Sequence, residues 1–196
     1  MGVAFGCVGN TIRLRSGRYF DLSDPQPDQI EFSDIAGALS KICRFGGQIE
    51  RFYSVAEHCY HCGLVAMHDG LSPDAIKAVL LHDATEAFVG DMVKPLKVML
   101  PEYSEIELRV ERAIEQKFDV DFAAHAEAVR EIDFAMLIAE RRAMFSVDDV
   151  QWTGEENARR LRVQFPCWNP PEAEAMLVIR ARNAGIAVRG AGGIPE

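Results

Sequence analysis

The stretch "LLHDATEAFVGDMVKP", residues 80–95, decides how this chain is read. It continues the apolar run "PDAIKAVLL", yet His82, Asp83, Glu86 and Asp91 then stand where a core-facing helix carries leucine. Burying an unpaired charge is costly, so four such groups need a compensating partner. On a helix, residues three and four apart share a face, which puts Glu86 over both Asp83 and His82. Gly90 closes that helix, and Asp91 falls in the following turn, where the backbone can aim its carboxylate back.

His82 supplies a nitrogen and Asp83 an oxygen, the mixed set that borderline transition metals take. Two adjacent ligands cannot hold a metal alone, and the chain offers two more. His58 lies mid-helix in "SVAEHCYHCGLVA", and Asp133 interrupts the apolar run "IDFAMLIA". That aspartate is expected near the core, where it needs a cation or several hydrogen bonds. The set His58, His82, Asp83 and Asp133 gives two imidazoles and two carboxylates from three helices. It leaves positions open for water and substrate, as a catalytic metal site requires.

Outward from this block, helix grammar dominates. "SDIAGALSKICRF" (33–45) opens on a Ser or Asp cap with Ile35, Leu39 and Ile42 at helical spacing. "SVAEHCYHCGLVAMHDG" (54–70) starts with Ser54 and Glu57 in a capping-box pattern and stops at Gly70. "SPDAIKAVLLHDATEAFVG" (72–90) reads as one helix, with Ser72 as cap and Pro73 in its first turn. Residues 101–118 place Ile106, Val110, Ala113 and Ile114 on one face, and 121–145 form a long segment of one or two helices. In the tail, "GEENARRLRVQF" and "PPEAEAMLVIRARNAG" both read as amphipathic helices, followed by a loose glycine-rich end. Only "TIRLRSGRYFDL" (11–22) alternates as strands do, about Ser16-Gly17. The expectation is an all-α bundle with a small N-terminal β-hairpin.

Composition narrows the function. Lys plus Arg number 21 against 30 Asp plus Glu, a net charge of −9, which argues against binding a nucleic-acid polymer. A small anionic substrate is still compatible, because a metal and a few arginines reverse the local field. No apolar run approaches the roughly 18 residues of a membrane span, and the N-terminus lacks a secretory pattern. Five cysteines form an odd set without framework spacing, which suits a reducing cytoplasm. The expected location is cytoplasmic, without membrane attachment.

The order H…HD…D resembles the HD-domain metal-dependent phosphohydrolases, in particular the bacterial 5′-deoxynucleotidase-type and prophage-encoded members. The residues that carry the likeness are "RF" (44–45), "FYSVAEH" (52–58), "LLHDATEAFVGDMVKPLK" (80–97) and the aspartate of "EIDFAMLIAERR" (131–142). The resemblance implies a single HD phosphohydrolase domain over 1–196, with a core of about 30–145, the hairpin at 11–22 and C-terminal helices at 155–185. It implies one divalent ion (Mn, Co, Ni, Fe, Zn or Mg) on His58, His82, Asp83 and Asp133. Glu86 then matches the catalytic carboxylate that orients or deprotonates water, and Asp91 the aspartate near the sugar. Arg44 resembles an arginine on the nucleotide phosphate, and Phe45 falls where relatives place an aromatic ring near the base. Where prophage-type members read RF-x-GH, this chain has Gly47-Gln48, so no histidine role carries over there.

The implied reaction is hydrolysis of a nucleotide phosphate ester, a deoxynucleoside monophosphate giving deoxynucleoside and phosphate. The alternatives are a deoxynucleoside triphosphohydrolase that releases triphosphate and, in another class, a non-catalytic nucleotide sensor. Relatives are often dimers or larger, so a homo-oligomer is expected. No P-loop occurs, which removes the commonest other phosphate cradle. The remaining motifs have plainer readings. Phe45 is expected in the core, His61 as a satisfied helix histidine, and Cys59 and Cys62 as buried thiols. "ERR" (140–142) and "ARRLR" (158–162) are read as solvated faces or oligomer contacts.

Overall fold

The computed structural model describes residues 9–146 and 150–188; Cys7 and most of the glycine-rich end lie outside them. The expected hairpin is present: β1 (Thr11–Arg13) pairs antiparallel with β2 (Tyr19–Asp21), Ile12 opposite Phe20. Phe20 is fully buried and stacks on Phe88 at 4.1 Å, which seals the hairpin onto the helices.

Helix α1 (Phe32–Leu39) stops earlier than its periodicity suggests. Beyond it, Cys43 bridges Ser54 antiparallel, with Arg44 N–H donating to Tyr53 O and Val55 N–H to Ile42 O. Backbone pairing therefore replaces the last turn of the expected helix, and it draws Arg44 alongside the start of α2 (Val55–His68). Ser54 caps α2 by accepting from Glu57 N–H at 3.1 Å. Ser72 does the same for α3 (Pro73–Leu81), accepting from Ala75 N–H. Short helices α4 (Glu86–Val89) and α5 (Lys94–Lys97) lead to α6 (Pro101–Phe118), α7 (Ala126–Met144) and α8 (Pro170–Asn183). Asn169 and Glu172 close a capping box on α8.

Helix α2 is the hub, packing against α3, α7 and α8, while α1 packs on α4 and α8. The α2–α3 approach depends on Gly63: a Cβ there would stand 2.8 Å from Leu80 Cγ. Val110, Ala113 and Ile114 of α6 turn into the core, as their spacing predicts.

Residues 154–165 do not form the expected helix. After a single 3-10 turn, Glu155–Asn157, residues 158–169 run as a strap without helix. The reason is a period that an Arg-rich reading hides: Leu161, Val163 and Phe165 alternate with Arg162 and Gln164, the spacing of extended chain. Pro166 also disfavours helix at Phe165. The apolar residues of the strap pack on a cluster of Cys62, Ala66, Val79, Ile132 and Met136.

The strap is tied down by a residue whose sequence role looked different. Glu57 has the capping-box position on α2, but its fully buried carboxylate accepts from Cys167 N–H at 2.9 Å and Trp168 N–H at 2.7 Å. Replacement of Glu57 by Ala leaves two amides without their charged acceptor. The variant is expected to lose about 3 kcal/mol in urea unfolding, with earlier proteolysis of the strap than in wild type.

Candidate metal centre

Helix α3 ends where the chemistry begins. In an unbroken helix the Val79 carbonyl would accept from Asp83 N–H; here His82 Nδ1 takes it at 2.7 Å. Residues 82–85 become a turn with i to i+3 bonds, Ala84 N–H to Leu81 O and Glu86 N–H to Asp83 O. The single helix expected over 72–90 is therefore two pieces joined by the histidine and aspartate themselves. A ring nitrogen competing for a backbone carbonyl caused the break, and periodicity cannot register that.

The structure brings the four expected ligands together. His58 Nε2 lies 3.1 Å from His82 Nε2, 3.5 Å from Asp83 Oδ2 and 3.3 Å from Asp133 Oδ1. His82 Nε2 is 3.4 Å from Asp83 Oδ1 and 3.7 Å from Asp133 Oδ1. His58 comes from α2, His82 and Asp83 from the turn after α3, and Asp133 from α7. His58 is fully buried, whereas the Asp133 side chain is 42% exposed. Asp133 is thus part-buried at the edge of the site, one side toward solvent and its Oδ1 against the buried His58.

Hydrogen bonding fixes what this meeting point can hold. His58 Nδ1 points to Glu140 Oε1 at 2.6 Å, and His82 Nδ1 to the Val79 carbonyl. With both Nδ1 hydrogens so engaged, each Nε2 presents a lone pair, and both face carboxylate oxygens. Either a proton or a cation must stand between them. Two imidazole nitrogens and two carboxylates with their Nδ1 atoms anchored fit a divalent transition metal well. Thiols are close too: Cys59 and Cys62 are buried as expected and can be grouped with the same donors. Cys62 Sγ, however, lies 3.5 Å from Nε2 and 3.9 Å from Nδ1 of His58, so it sits over the ring face, off the lone-pair direction.

Glu140 is the residue that sequence reading missed. The "ERR" run looked solvated, and its arginines do pair with Glu155, at 2.7 Å from Arg141 and 3.1 Å from Arg142. Glu140 is fully buried, and besides His58 it receives Tyr53 OH at 2.9 Å and Arg44 Nε at 3.1 Å. Its signal was its place seven residues after Asp133, two turns along one face.

Arg44 is buried and its Nη1 reaches Asp83 Oδ2 at 3.3 Å, so the expected phosphate-binding residue touches an expected ligand. Phe45 is only half-buried. Its backbone is left-handed, φ 58°, a sparse region for a bulky residue. Its ring meets Phe145 edge-on at 5.1 Å, with Trp152 at 6.5 Å, beside the Arg44 guanidinium.

Glu86 Oε2 is buried and has no hydrogen-bond partner among the described residues. Burial, with Asp83 and Asp91 alongside, pushes its carboxyl up to about 10. Burial also raises Asp91, with Arg44 opposing and Asp83 adding. Both expected catalytic carboxylates thus share one electrostatic neighbourhood with Asp83 and Arg44. Away from it, His61 is buried with neither ring nitrogen in a hydrogen bond among the described residues. It stacks on Trp168 at 5.8 Å instead, so it is a packed ring and not the satisfied histidine expected.

Comparison with known proteins agrees with this geometry. Residues 39–138 match the family described as HD domain. The chain is 36% identical to the uncharacterized protein YfdR of Escherichia coli (strain K12) over 141 residues, 72% of this chain and 76% of that protein. It is 35% identical to the uncharacterized protein RCAP_rcc00048 of Rhodobacter capsulatus over 134 residues, 66% and 68% of the two chains. The chain belongs to the HD-domain family, which defines the class as metal-dependent phosphohydrolases. Among the described residues no helix is long and apolar enough to cross a membrane.

Protons and metal compete for the same nitrogens. Burial opposes charge on His58 and His82, and Arg44 opposes it further on His58. The surrounding acidic groups outweigh both, and each imidazole keeps its proton above the ordinary histidine range. A histidine raised in this way contributes stability that is complete below about pH 6.5 and lost as the pH rises through its folded value. Raised Glu86 acts in the same direction. Chelator-treated protein is therefore expected to melt at falling temperature as the pH rises above about 6.5. The rise in melting temperature on adding Mn²⁺ should grow over the same range, because ligation needs the deprotonated rings. Thermal unfolding with and without Mn²⁺ across that range checks both slopes.

Proposed function

We propose that this protein hydrolyses deoxynucleoside 5′-monophosphates to deoxynucleoside and phosphate. The observation that carries the reading is Arg44 bonded to Asp83: a guanidinium fixed against the rim of an acceptor-only metal site. That pairing suits a dianionic terminal phosphate, with one face toward the ion and the other toward Arg44. The Phe45 ring lies 5.5 Å from the Arg44 guanidinium, which supports a contact with the sugar or base of a substrate whose phosphate Arg44 holds.

His58, His82, Asp83 and Asp133 would hold the ion. With a divalent ion bound there, a water on it would ionise more readily, a phosphoryl oxygen would be polarised, and the ionised form of Glu86 would be favoured. Arg44 draws the phosphate in and neutralises charge that builds on its oxygens. Glu86, whose Oε2 has no partner among the described residues, takes the proton of the attacking water. Asp91 binds protons more readily than an ordinary aspartate and sits after Gly90, whose left-handed turn (φ 85°) aims the chain back. In this reading it gives a proton to the departing 5′ oxygen.

The test is product release from deoxy- and ribonucleoside mono- and triphosphates, with chelator-treated protein given Mn²⁺, Co²⁺ or Mg²⁺ one at a time. Phosphate from monophosphates is the expected product. Triphosphate release would identify the triphosphohydrolase reaction instead. Glu86→Ala is expected to cut turnover by roughly 10²–10⁴-fold while Mn²⁺ and nucleotide binding survive. Undiminished turnover in that variant would remove Glu86 from the reaction, and nucleotide binding without any turnover in wild type would point to a sensor.

A further inference from the structure

We propose that Glu140 is a positioning residue that locks the metal ligand His58 and the phosphate-binding Arg44 into one unit. The metal half of this inference stands on geometry alone; the Arg44 half rests on the phosphate role proposed above.

Both oxygens of Glu140 are in use. Oε1 takes His58 Nδ1 at 2.6 Å and Tyr53 OH at 2.9 Å, while Oε2 takes Arg44 Nε at 3.1 Å. Arg44 Nη1 then reaches Asp83 Oδ2 at 3.3 Å, and Asp83 faces His58 Nε2 at 3.5 Å. The contacts form a closed circuit: Glu140, His58, the ligand cluster, Asp83, Arg44 and back to Glu140. All three groups bonded to Glu140 are donors in this arrangement. Only an acceptor-only side chain with two oxygens can satisfy them together, which selects a carboxylate over an amide.

Stability is a poor reason for such a residue. A fully buried charge gives up its hydration, and buried ion pairs are often replaceable by apolar groups without loss. Orientation is a better one. A carboxylate on Nδ1 fixes the tautomer and ring angle of His58 and makes Nε2 a stronger donor to a metal. Holding Arg44 at Nε, with Nη1 on Asp83, fixes the guanidinium plane and leaves Nη2 for an incoming anion. Helix α7 thereby carries two functions on one face: Asp133 bonds the ion, and Glu140, two turns later, aligns the groups around it.

The experiment uses the full chain, treated with chelator and titrated calorimetrically with Mn²⁺. In Glu140→Gln the amide can serve His58 or Arg44 but not both. Mn²⁺ affinity is expected to fall roughly 10–100-fold. Inorganic phosphate, titrated at saturating Mn²⁺, is expected to bind more weakly as well. Tyr53→Phe is the control, since it removes a donor from the same carboxylate without freeing His58 or Arg44; it should keep wild-type Mn²⁺ affinity. Unchanged Mn²⁺ affinity in folded Glu140→Gln overturns the proposal, and unchanged phosphate affinity overturns its Arg44 half. A Tyr53→Phe loss as large as that of Glu140→Gln would assign the effect to general packing and also overturn it. If Glu140→Gln does not fold, Glu140→Asp decides on the same criterion, being charged but one methylene too short to span both partners. Mn²⁺ affinity is read without any nucleotide, so a wild-type protein inert toward nucleotides would overturn the nucleotidase reading and leave this result standing.

Discussion

Two imidazole lone pairs facing each other across 3.1 Å, with carboxylates on either side, are mutually repulsive unless something positive lies between them. The rest of the structure is arranged around that constraint. His58 cannot turn away, because Glu140 holds its other nitrogen inside the core, and His82 cannot, because the Val79 carbonyl holds its own. Neither histidine can relieve the contact without abandoning a buried hydrogen bond. The packing of α2 against α3 and α7 therefore fixes a charge requirement, and a cation meets it.

Around that centre, charge is layered. Four acids, Asp83, Glu86, Asp91 and Asp133, face the metal region, and Glu140 lies behind it. Arg44 is the cation that bridges the two layers. An arginine in this place has an uneven effect: it steadies the charge of Glu140 and opposes charge on His58. The strained turn at Phe45 comes directly after Arg44, where the backbone leaves the Cys43–Ser54 pairing and enters the left-handed residues Phe45–Gly47. Gly46 and Gly47 take the left-handed conformation without difficulty; Phe45 does so against its own preference, held by Phe145 and Trp152.

The strap shows how distant sequence supports the site. Residues 158–169 lie outside the matched segment, yet Phe165 meets Tyr53 edge-on at 5.5 Å, and Tyr53 donates to Glu140. Glu57, the neighbour of His58, anchors the end of the strap through Cys167 and Trp168. The tail is thus joined to the chain at two points just before His58. The alternation of Leu161, Val163 and Phe165 was visible in the sequence, but the arginines before and among them suggested a helix surface.

What the sequence determined by itself is local. Caps at Ser54, Ser72 and Asn169, stops at Gly70 and Gly90, and the apolar face of α6 follow from near-neighbour hydrogen bonding and sterics. The four donor residues were also legible, because polar groups interrupting apolar runs are rare enough to stand out. Tertiary structure alone decided which atoms satisfy one another. The burial of Glu140 within an apparently solvated run, the part-exposed side of Asp133 and the redirected carboxylate of Glu57 each depend on a partner outside the local helix turn or on where packing leaves solvent. Periodicity describes which way a side chain points from its own helix; it carries nothing about the donor or acceptor waiting there. Hydrogen-bond satisfaction in a buried site is a pairwise property of residues far apart in the chain, and only the folded packing brings those pairs within reach.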